Sequence, residues 1–594
     1  MSRYRWLLAI VSALSLSVAV AACGSDDNSS TNGSSNKPGA LPEKQDLSGK
    51  KGGSLKVLAS GDVDYIDPGI AYYQFSYMVS YATQRPLYSW APDDSTTATP
   101  DLAEEQPELA SDGKSLTVKI RQGVKFSAPV NRAATSKDVA YAIQRSFLPS
   151  VANGYAPAYL GDLTGLKAFQ DGKADSISGI QTPDDQTLVL KFDRSTAGIA
   201  AGALSLPFSA PVPEEYAAKY DKESPSTYGL HQVFTGPYAI PADSSGKLTG
   251  YSPGKEIQLE RNANWNGPET GDYRKAYLDS IAIDEGNNDT SVASKQILQG
   301  QSQANGDFAP PPPVIKQALS QYKDQLVFAP SGGNRYVSMN TTIKPFDNVN
   351  VRRAVFAGFD RTSMQKSRGG AIAGPVATHF IPPGIGGFEE AGGLEGPGYD
   401  FTKNPNGDLA LAQSYMKKAG YPSGKYTGSE KILMVGTSGG TAQRAAEITK
   451  DQFTKLGFNV QLRLVTQDSM YTKFCNVPKA DVVVCPNVGW LKDFNDPQTI
   501  LDPTFNGKNI VPENNSNWPQ LNDKTINAAM DKAELVTEVQ DRNQAWADID
   551  KQLTNLAPAV PWIWDDTPNI WSGNVQGVVN KFNANVDLSF TSIK

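Results

Sequence analysis

The second half of the sequence predicts an α/β fold with a partly parallel sheet. The run KILMV at 431–435 is apolar throughout, as expected for a strand buried on both faces. A helix is predicted from Thr441 as its N-cap to Gly457, because apolar side chains recur between them at helical spacing. FNVQLRL at 458–464 alternates as a strand, and ADVVVC at 480–485 indicates another buried strand. This β-α-β-β order is typical of α/β proteins.

Earlier segments predict further strands and helices. SLTVKI at 115–120 and TLVLKF at 187–192 have the composition of strands. The segment TSKDVAYAIQRSF predicts a helix that begins at Thr135, with Asp138 placed to complete a capping box. Two more helices are predicted, from NVRRAVFAGF at 350–359 and DLALAQSYMKKAG at 408–420.

The N-terminus has the pattern of an export signal. Arg3 and Arg5 precede an apolar run that ends in small residues before Cys23, which resembles a bacterial lipobox. Residues 1–22 are therefore predicted to be a lipoprotein signal peptide, and Cys23 is predicted to carry lipid at the outer face of the cytoplasmic membrane. Residues 23–51 are rich in Ser, Asn, Gly and Asp, which predicts a flexible tether.

The remaining cysteines favour a disulfide rather than a metal centre. Export to an oxidising compartment favours pairing of Cys475 with Cys485. The chain has no metal-type cysteine cluster and only two histidines, His231 and His379. We therefore expect no metal site and no cofactor.

The charge balance argues against nucleic acid as a partner. The sequence has 62 acidic and 55 basic residues, a formal net charge of −7. Loss of Arg3 and Arg5 with the signal would make it more acidic. Binding to nucleic acid calls for a basic face, and the sequence offers none.

A series of segments in fixed order carries a resemblance to a known family. They are GGSLKVLASGDVDYIDPG, PDLAEEQPELASDGKSLTVKIRQGVKF, TSKDVAYAIQRSF, TPDDQTLVLKF, FTGPYAI, LERNANWNG, MNTTIKPFDNVNVRRAVFAGFDR, LAQSYMKKAGYP, DQFTKLGFNVQLRLV and GWLKDFNDP. From about residue 52 to the C-terminus, the chain resembles family 5 of the extracytoplasmic solute-binding proteins. That family includes oligopeptide- and dipeptide-binding lipoproteins of ATP-driven (ABC) importers.

The resemblance implies a two-lobed periplasmic-binding-protein-like fold of type II, with an extra subdomain and a ligand cleft between the lobes. Lobe I would comprise 52–330 plus 562–594, with the subdomain inserted at 89–205, and lobe II would comprise 331–561. The implied function is capture of a short peptide by hinged closure and its delivery to the permease subunits of an importer, without catalysis. A monomer is expected.

The stretch GWLKDFNDP holds the main binding residues that the resemblance implies. In peptide-binding members, an aspartate three residues after a tryptophan holds the α-ammonium of the ligand, and Trp490 and Asp493 match this pattern. Asp496 is interpreted as a turn-capping residue. Two nearby acids could also serve glycoside hydrolysis, but nothing in the sequence gives one of them a raised pKa.

Three further ligand-binding residues are implied in the first half. The segment GDVDYIDP matches a strand edge of the family, where Val63 and Asp64 would pair with the main chain of a peptide. Tyr155, in NGYAPAYL, matches a ligand-facing tyrosine.

Other functions remain open at this point. Relatives with the same fold bind sugars or nickel chelates, and nine tryptophans could stack on sugar rings. GTSGG fits the nucleophile elbow of a serine hydrolase at Ser438, but His231 and His379 both precede that serine, contrary to the hydrolase order. His379 and Arg335 are weaker candidates for the cleft.

Overall fold

The computed structural model describes residues 38–594. The predicted signal peptide and Cys23 lie outside the described residues. Three main β-sheets organise the described chain, with helices around each, and they form two lobes and an inserted subdomain. The α/β, two-lobed fold class is confirmed.

Lobe I contains a six-stranded mixed sheet. Its central strands Ser54–Leu58 and Ser280–Asp284 are parallel, and Glu256–Arg261 runs antiparallel to the latter. The short strands Ala304–Asn305, Tyr238–Ala239 and Tyr251–Ser252 complete it. The helices of this lobe are Gln74–Thr83, Glu214–Asp221, Thr290–Leu298 and Pro312–Gln321.

The inserted subdomain contains a four-stranded antiparallel sheet. Its strand order is Glu108–Leu109, Ser115–Lys119, Thr187–Lys191 and Ile180–Asp184. Its helices are Ser136–Arg145, Ala156–Leu160, Leu166–Gln170 and Ala197–Ala203. The predicted capping box is confirmed, since the Thr135 amide donates to Asp138 Oδ2 at 2.8 Å.

Lobe II contains a five-stranded sheet that is packed on both faces. Its strand order is Asn459–Val465, Lys431–Thr437, Val484–Leu491, Leu326–Met339 and Ala559–Ile570. One face packs against helices Val349–Gly358, Leu409–Lys418 and Gly440–Lys455. The other packs against helices Gln498–Phe505, Lys524–Ala533 and Val539–Leu556. The lobe also contains the α-helices Arg361–Arg368, Asp400–Lys403 and Gln467–Ser469, the π-helix Met470–Cys475 and several short 3-10 helices.

Two element starts differ from the sequence prediction. The helix predicted to begin at Thr441 has Gly439 as its N-cap, because Gly439 and Gly440 both have positive φ and make the turn out of the strand. The strand predicted at 480–485 begins only at Val484, because Asp481 has a left-handed conformation with φ of 51°. It continues to Leu491 and so includes Trp490.

Two long strands, Leu326–Met339 and Ala559–Ile570, cross from one lobe to the other. Leu326 to Pro330 pair with Asp566 to Ile570, and after a break the pairing resumes between Asn334 and Trp564. The register shifts within this break. We call it the hinge break, because it is where the paired strands leave one lobe and enter the other.

A buried ion cluster lies at the hinge break. The Asp565 carboxylate accepts hydrogen bonds from Arg335 Nε at 2.7 Å and from Arg368 Nη2 at 2.6 Å. Burial is the largest single influence and would raise the pKa of Asp565, but the charges and hydrogen bonds of the two guanidinium groups together outweigh it and hold the pKa below its usual value. Arg335 is therefore tied to a structural ion cluster.

The described part of the expected tether lies on lobe I. The Phe328 amide donates to Gly39 O at 2.7 Å, which adds the chain to the edge of the first crossing strand. Further along, Gln45 Nε2 donates to Val579 O at 2.7 Å, and the Tyr277 hydroxyl donates to Leu47 O at 2.9 Å. Part of the segment predicted as a tether over 23–51 therefore has contacts with the folded chain, which a polar composition does not reveal.

Within residues 38–594, none of the helices combines the length and the apolar content that crossing a membrane requires.

Candidate functional site

The stretch from Gly489 to Pro497 leaves the lobe II sheet where the lobe meets the subdomain. Trp490 is on the strand, opposite Asn334, and its indole Nε1 donates to Thr499 O at 2.7 Å. This hydrogen bond fixes the ring, and the residue is only 5% exposed. Asp493 follows after the strand has ended, in a buried position at the boundary between the two units.

The Asp493 carboxylate has one polar partner among the described residues. Oδ2 accepts a hydrogen bond from the hydroxyl of Tyr159, which belongs to the inserted subdomain. Within residues 38–594, no lysine, arginine or histidine pairs with it. The preceding Lys492 instead places its Nζ 4.7 Å from the ring centroid of Phe582.

Burial changes the acidity of Asp493. The side chain is 6% exposed, and loss of hydration raises its pKa to about 8, although the Tyr159 hydrogen bond opposes this. The carboxyl group therefore titrates near neutral pH. A cation beside it would restore the charged form, because a buried carboxylate and an ammonium stabilise each other strongly in a poorly hydrated site.

Aromatic rings surround this carboxyl group. Tyr72 stacks on Tyr155 with ring centroids 5.4 Å apart, and its centroid lies 6.0 Å from that of Trp490. Tyr155 lies 6.5 Å from both Tyr77 and Tyr159. We call these five residues the aromatic cage. Burial, with the negative charge of Asp493 adding to it, holds the pKa of the four cage tyrosines well above their ordinary value.

The structure thus brings three of the expected residues, Asp493, Trp490 and Tyr155, to one place. Tyr155 is held by its main chain, since its amide donates to Asn153 Oδ1 at 2.8 Å. The ring extends from the start of helix Ala156–Leu160 onto Tyr72.

The segment around Val63 and Asp64 differs from the expected strand edge. The lobe I strand ends at Leu58, and both residues lie in the loop that follows it. Asp64 is occupied structurally, because its Oδ2 accepts the amide of Tyr72 at 2.7 Å and that of Tyr73 at 3.2 Å. Burial raises its pKa to about 6 despite these hydrogen bonds. The carboxylate therefore fixes the loop that carries Tyr72 into the aromatic cage.

The Val63 side chain is in the lobe I core and is 5% exposed. Among the described residues, no group forms a hydrogen bond with its main-chain amide or carbonyl. Its backbone thus differs from that of Asp64, whose amide donates to Ser76 Oγ at 3.2 Å.

Asp496 has the structural role that was predicted. Its Oδ1 accepts the Gln498 amide at 2.8 Å, which caps the turn into helix Gln498–Phe505. Its carboxylate also pairs with Arg542 at 2.7 Å. Of the two aspartates in the stretch, only Asp493 faces the aromatic cage.

A disulfide joins Cys475 and Cys485, with Cα atoms 6.4 Å apart. Cys475 ends the π-helix that begins at Met470, and Cys485 lies on the strand that leads to Trp490. The link therefore ties the cleft-side segment containing Tyr471 to the strand that carries Trp490.

The residues considered for other chemistry lie apart from one another. Ser438 is exposed between strand Lys431–Thr437 and helix Gly440–Lys455. His379 is buried and bonded through both ring nitrogens, to Asp550 at 2.8 Å and to Gly393 O at 3.0 Å. His231 stacks on Tyr220 in lobe I. Within residues 38–594, no group of three or more His, Cys, Asp or Glu has an arrangement that could hold a metal ion.

Sequence reasoning missed Tyr159, Tyr72 and Tyr77. One available signal was spacing, because Tyr155 and Tyr159 are four residues apart and so lie on the same face of a helix. The approach of Tyr72 has no such local signal, since it depends on the Asp64 loop.

Comparison with known proteins identifies the family. Residues 97–511, well over half of the chain, match the family model described as bacterial extracellular solute-binding proteins, family 5 Middle. The oligopeptide-binding protein OppA of Bacillus subtilis is 25% identical over 477 residues, covering 80% of this chain and 81% of its own. Heme-binding protein A of Haemophilus influenzae is 25% identical over 478 residues, covering 79% of each chain.

Solved structures share the fold. The clavulanic acid biosynthesis oligopeptide binding protein 2 superposes with a TM-score of 0.78 at 23% identity, covering 94% of this chain and 98% of its own. The binding protein DppA from Helicobacter pylori, in complex with peptide STSA, gives a TM-score of 0.72 at 20% identity, covering 92% and 98%. The two lobes, the inserted subdomain and the matched segment together show that this chain belongs to the family 5 bacterial extracellular solute-binding proteins.

Proposed function

We propose that this protein captures short peptides with a free N-terminus and delivers them to the permease subunits of an ABC importer. The observation that carries the proposal is the Asp493 carboxyl group, which is buried in the aromatic cage and, among residues 38–594, has only the Tyr159 hydroxyl as a polar partner. In this proposal the α-ammonium of the peptide binds Asp493 and supplies the countercharge. We call Asp493 in this role the ammonium seat.

The other implied residues receive separate roles. Trp490 and Tyr155 would enclose the first residue of the peptide between rings that already contact Tyr72. The free main-chain groups of Val63 would pair with the peptide backbone, as in strand addition. Asp64 would act indirectly, by holding the loop that carries Tyr72.

The cage also favours a cationic ligand. A cation near the faces of tyrosine and tryptophan rings is attracted to them electrostatically, by about 0.5 to 2 kcal/mol depending on its hydration. An ammonium group beside Asp493 would gain both this attraction and a charge-assisted hydrogen bond. A neutral sugar could donate hydroxyl hydrogen bonds to Asp493 but would bring no countercharge, so we favour a peptide over an oligosaccharide.

Lipid attachment at Cys23 completes the proposal. The protein would act as a monomer at the outer face of the cytoplasmic membrane, held by the lipid. Cys23→Ala should abolish labelling by a fatty-acid probe, because Cys475 and Cys485 are already joined to each other. Retained labelling would contradict the proposed anchor.

Mass spectrometry of the ligand released from purified, denatured protein tests the proposal directly. Short peptides with free N-termini are expected. Release of only an oligosaccharide, a nickel chelate or haem would reject peptide capture. Relatives include proteins named for glutathione binding, so the peptide analysis should also detect a γ-linked peptide.

A further inference from the structure

Phe494, the residue after Asp493, makes a second contact between lobe II and the inserted subdomain. Phe494 belongs to lobe II, yet it is 4% exposed and forms part of the hydrophobic core of the inserted subdomain. Its ring lies edge-to-face on Tyr159, with centroids 5.0 Å apart. Asp493 and Phe494 therefore both contact Tyr159, one through the hydroxyl and one through the ring.

Gly202 provides the space for this ring. It lies in the subdomain helix Ala197–Ala203, and a Cβ atom built on it would be 2.6 Å from Cδ2 and 2.7 Å from Cε2 of Phe494. Carbon atoms do not approach so closely, so either the ring or the helix would have to move. Any residue larger than glycine is therefore incompatible with Phe494 in its observed position.

The same strip of the subdomain touches lobe II at a second point. Arg194, shortly before this helix, donates to Asp531 O at 3.2 Å and lies 3.5 Å from a carboxylate oxygen of Glu534. The arginine side chain is 38% exposed, so this ion pair is screened by solvent. The buried Phe494 ring is the stronger contact of the two.

We infer that Phe494 and Gly202 form an interlobe socket, in which the ring is inserted only when lobe II closes on the subdomain. The socket consists of Gly202, Tyr159 and the Phe494 ring between them. Because Asp493 and Phe494 are adjacent in the chain, insertion of the ring positions the Asp493 carboxylate against the Tyr159 hydroxyl. Phe494 and Gly202 are therefore positioning residues. This inference rests on the proposed capture of a ligand by closure of the lobes.

Gly202→Ala tests the socket with a minimal change. Alanine is favoured over glycine in a helix, so the subdomain should fold normally. Gly198→Ala is the matched control, because it lies in the same helix and a Cβ atom there would have no neighbour within 4 Å. The double variant Gly202→Ala/Phe494→Leu tests rescue, since leucine is smaller than the ring.

Hydrogen–deuterium exchange on the full chain is the first measurement, made with and without a mixture of free peptides of three to six residues. Gly202→Ala is expected to raise amide exchange at least tenfold around residues 156–160 and 489–497. Exchange in the subdomain strands Ser115–Lys119 and Thr187–Lys191 should stay unchanged, which general destabilisation would not allow. Gly198→Ala should match the wild type.

Binding kinetics with the same peptide mixture are the second measurement. Gly202→Ala should increase the peptide dissociation rate at least tenfold with a small change in the association rate, and the double variant should recover part of the loss. Equal exchange and equal kinetics in Gly202→Ala and wild type would overturn the socket. If the wild type binds no peptide, the proposed function fails, while the exchange comparison still decides whether the socket exists.

Discussion

The hydroxyl of Tyr159, in the inserted subdomain, donates a hydrogen bond to the carboxylate of Asp493, in lobe II. This bond joins the two units at the point where the aromatic cage closes. Within the described chain it is the one polar contact that the carboxyl group makes, so a ligand cation would be the first opposite charge to reach it. The first three predictions concern this group.

Asp493→Asn should remove most of the affinity for peptides with free N-termini. Loss of the carboxylate leaves the peptide ammonium desolvated without a countercharge, which costs about 2 to 5 kcal/mol for a buried charge pair. N-acetylated peptides should bind poorly to the wild type and equally poorly to the variant. Titration calorimetry on wild type and variant, each with free and with acetylated peptide, gives the coupling energy between Asp493 and the ammonium.

Asp496→Asn is the control for this cycle. It breaks the pair with Arg542 and so should lower stability, but it should leave the preference for free N-termini intact. Equal binding of free and acetylated peptides to the wild type would contradict the ammonium seat.

Affinity for free peptides should depend on pH with a maximum near pH 8. Burial raises the pKa of Asp493 to about 8, so below that pH the ammonium must displace a proton, and affinity should fall by up to about tenfold per pH unit. Above about pH 8 the peptide amino group, with an ordinary pKa of about 7.7 to 8.0, loses its own proton. Calorimetry between pH 5.5 and 9 should show this maximum. In Asp493→Asn the affinity should no longer rise between pH 5.5 and 8. A rise that persists in this variant would mean that another group titrates.

The same pKa shift predicts the effect of pH on stability. Because the folded pKa is above the unfolded value, this group favours folding most below about pH 4, and that contribution is lost as pH rises towards 8. Without ligand, Asp493→Asn should therefore be more stable than the wild type at pH 7, by about 2 to 4 kcal/mol. The difference should disappear near pH 4. Urea unfolding at both pH values measures it.

Cys475→Ser should lower the stability of lobe II by about 2 to 3 kcal/mol. The disulfide joins cysteines ten positions apart, and its loss gives the unfolded chain more conformational freedom. Thiol titration of denatured, unreduced wild-type protein should find neither Cys475 nor Cys485 free. Two reactive thiols at these positions would contradict the link.

Asp565→Asn should destabilise the hinge break. It would leave Arg335 and Arg368 without their shared carboxylate, and breaking a buried ion pair costs about 3 to 5 kcal/mol. Asp185→Asn is the matched control, because its partner Lys137 and the aspartate itself are both about two-thirds exposed. Thermal unfolding should separate the two variants clearly, and equal melting temperatures would show that the cluster contributes little.

Local patterns in the sequence predicted the regular elements well. The Thr135 capping box and strand Lys431–Thr437 depend on neighbours in the chain, and both are found where they were predicted. The predicted start of the strand that carries Trp490 is too early, because the left-handed turn at Asp481 is not encoded by hydrophobicity.

The candidate site was harder to predict because it is assembled from distant segments. Trp490 and Asp493 could be named from a motif, and the role of Asp496 followed from turn chemistry. Gly202 had no local signal and Tyr159 had only its helical spacing from Tyr155, because the importance of both arises from contact with residues about 300 positions away. Asp64 was predicted to pair with a ligand through its main chain, and that stays a prediction; the use of its carboxylate by the amides of Tyr72 and Tyr73 is revealed by no sequence pattern.

The second crossing strand, Ala559–Ile570, has a consequence for how the chain folds. Beyond it, Trp571, Val575, Val579 and Leu588 fill the core of lobe I, whose first strand begins at Ser54. Lobe I therefore cannot complete its core until the segment after Ile570 is present. Contacts of such long sequence separation slow folding. Lobe II is formed from residues that lie between the two crossing strands, so almost all of its chain is available sooner. We therefore expect lobe I, although its first strand comes earlier in the chain, to complete its core after lobe II.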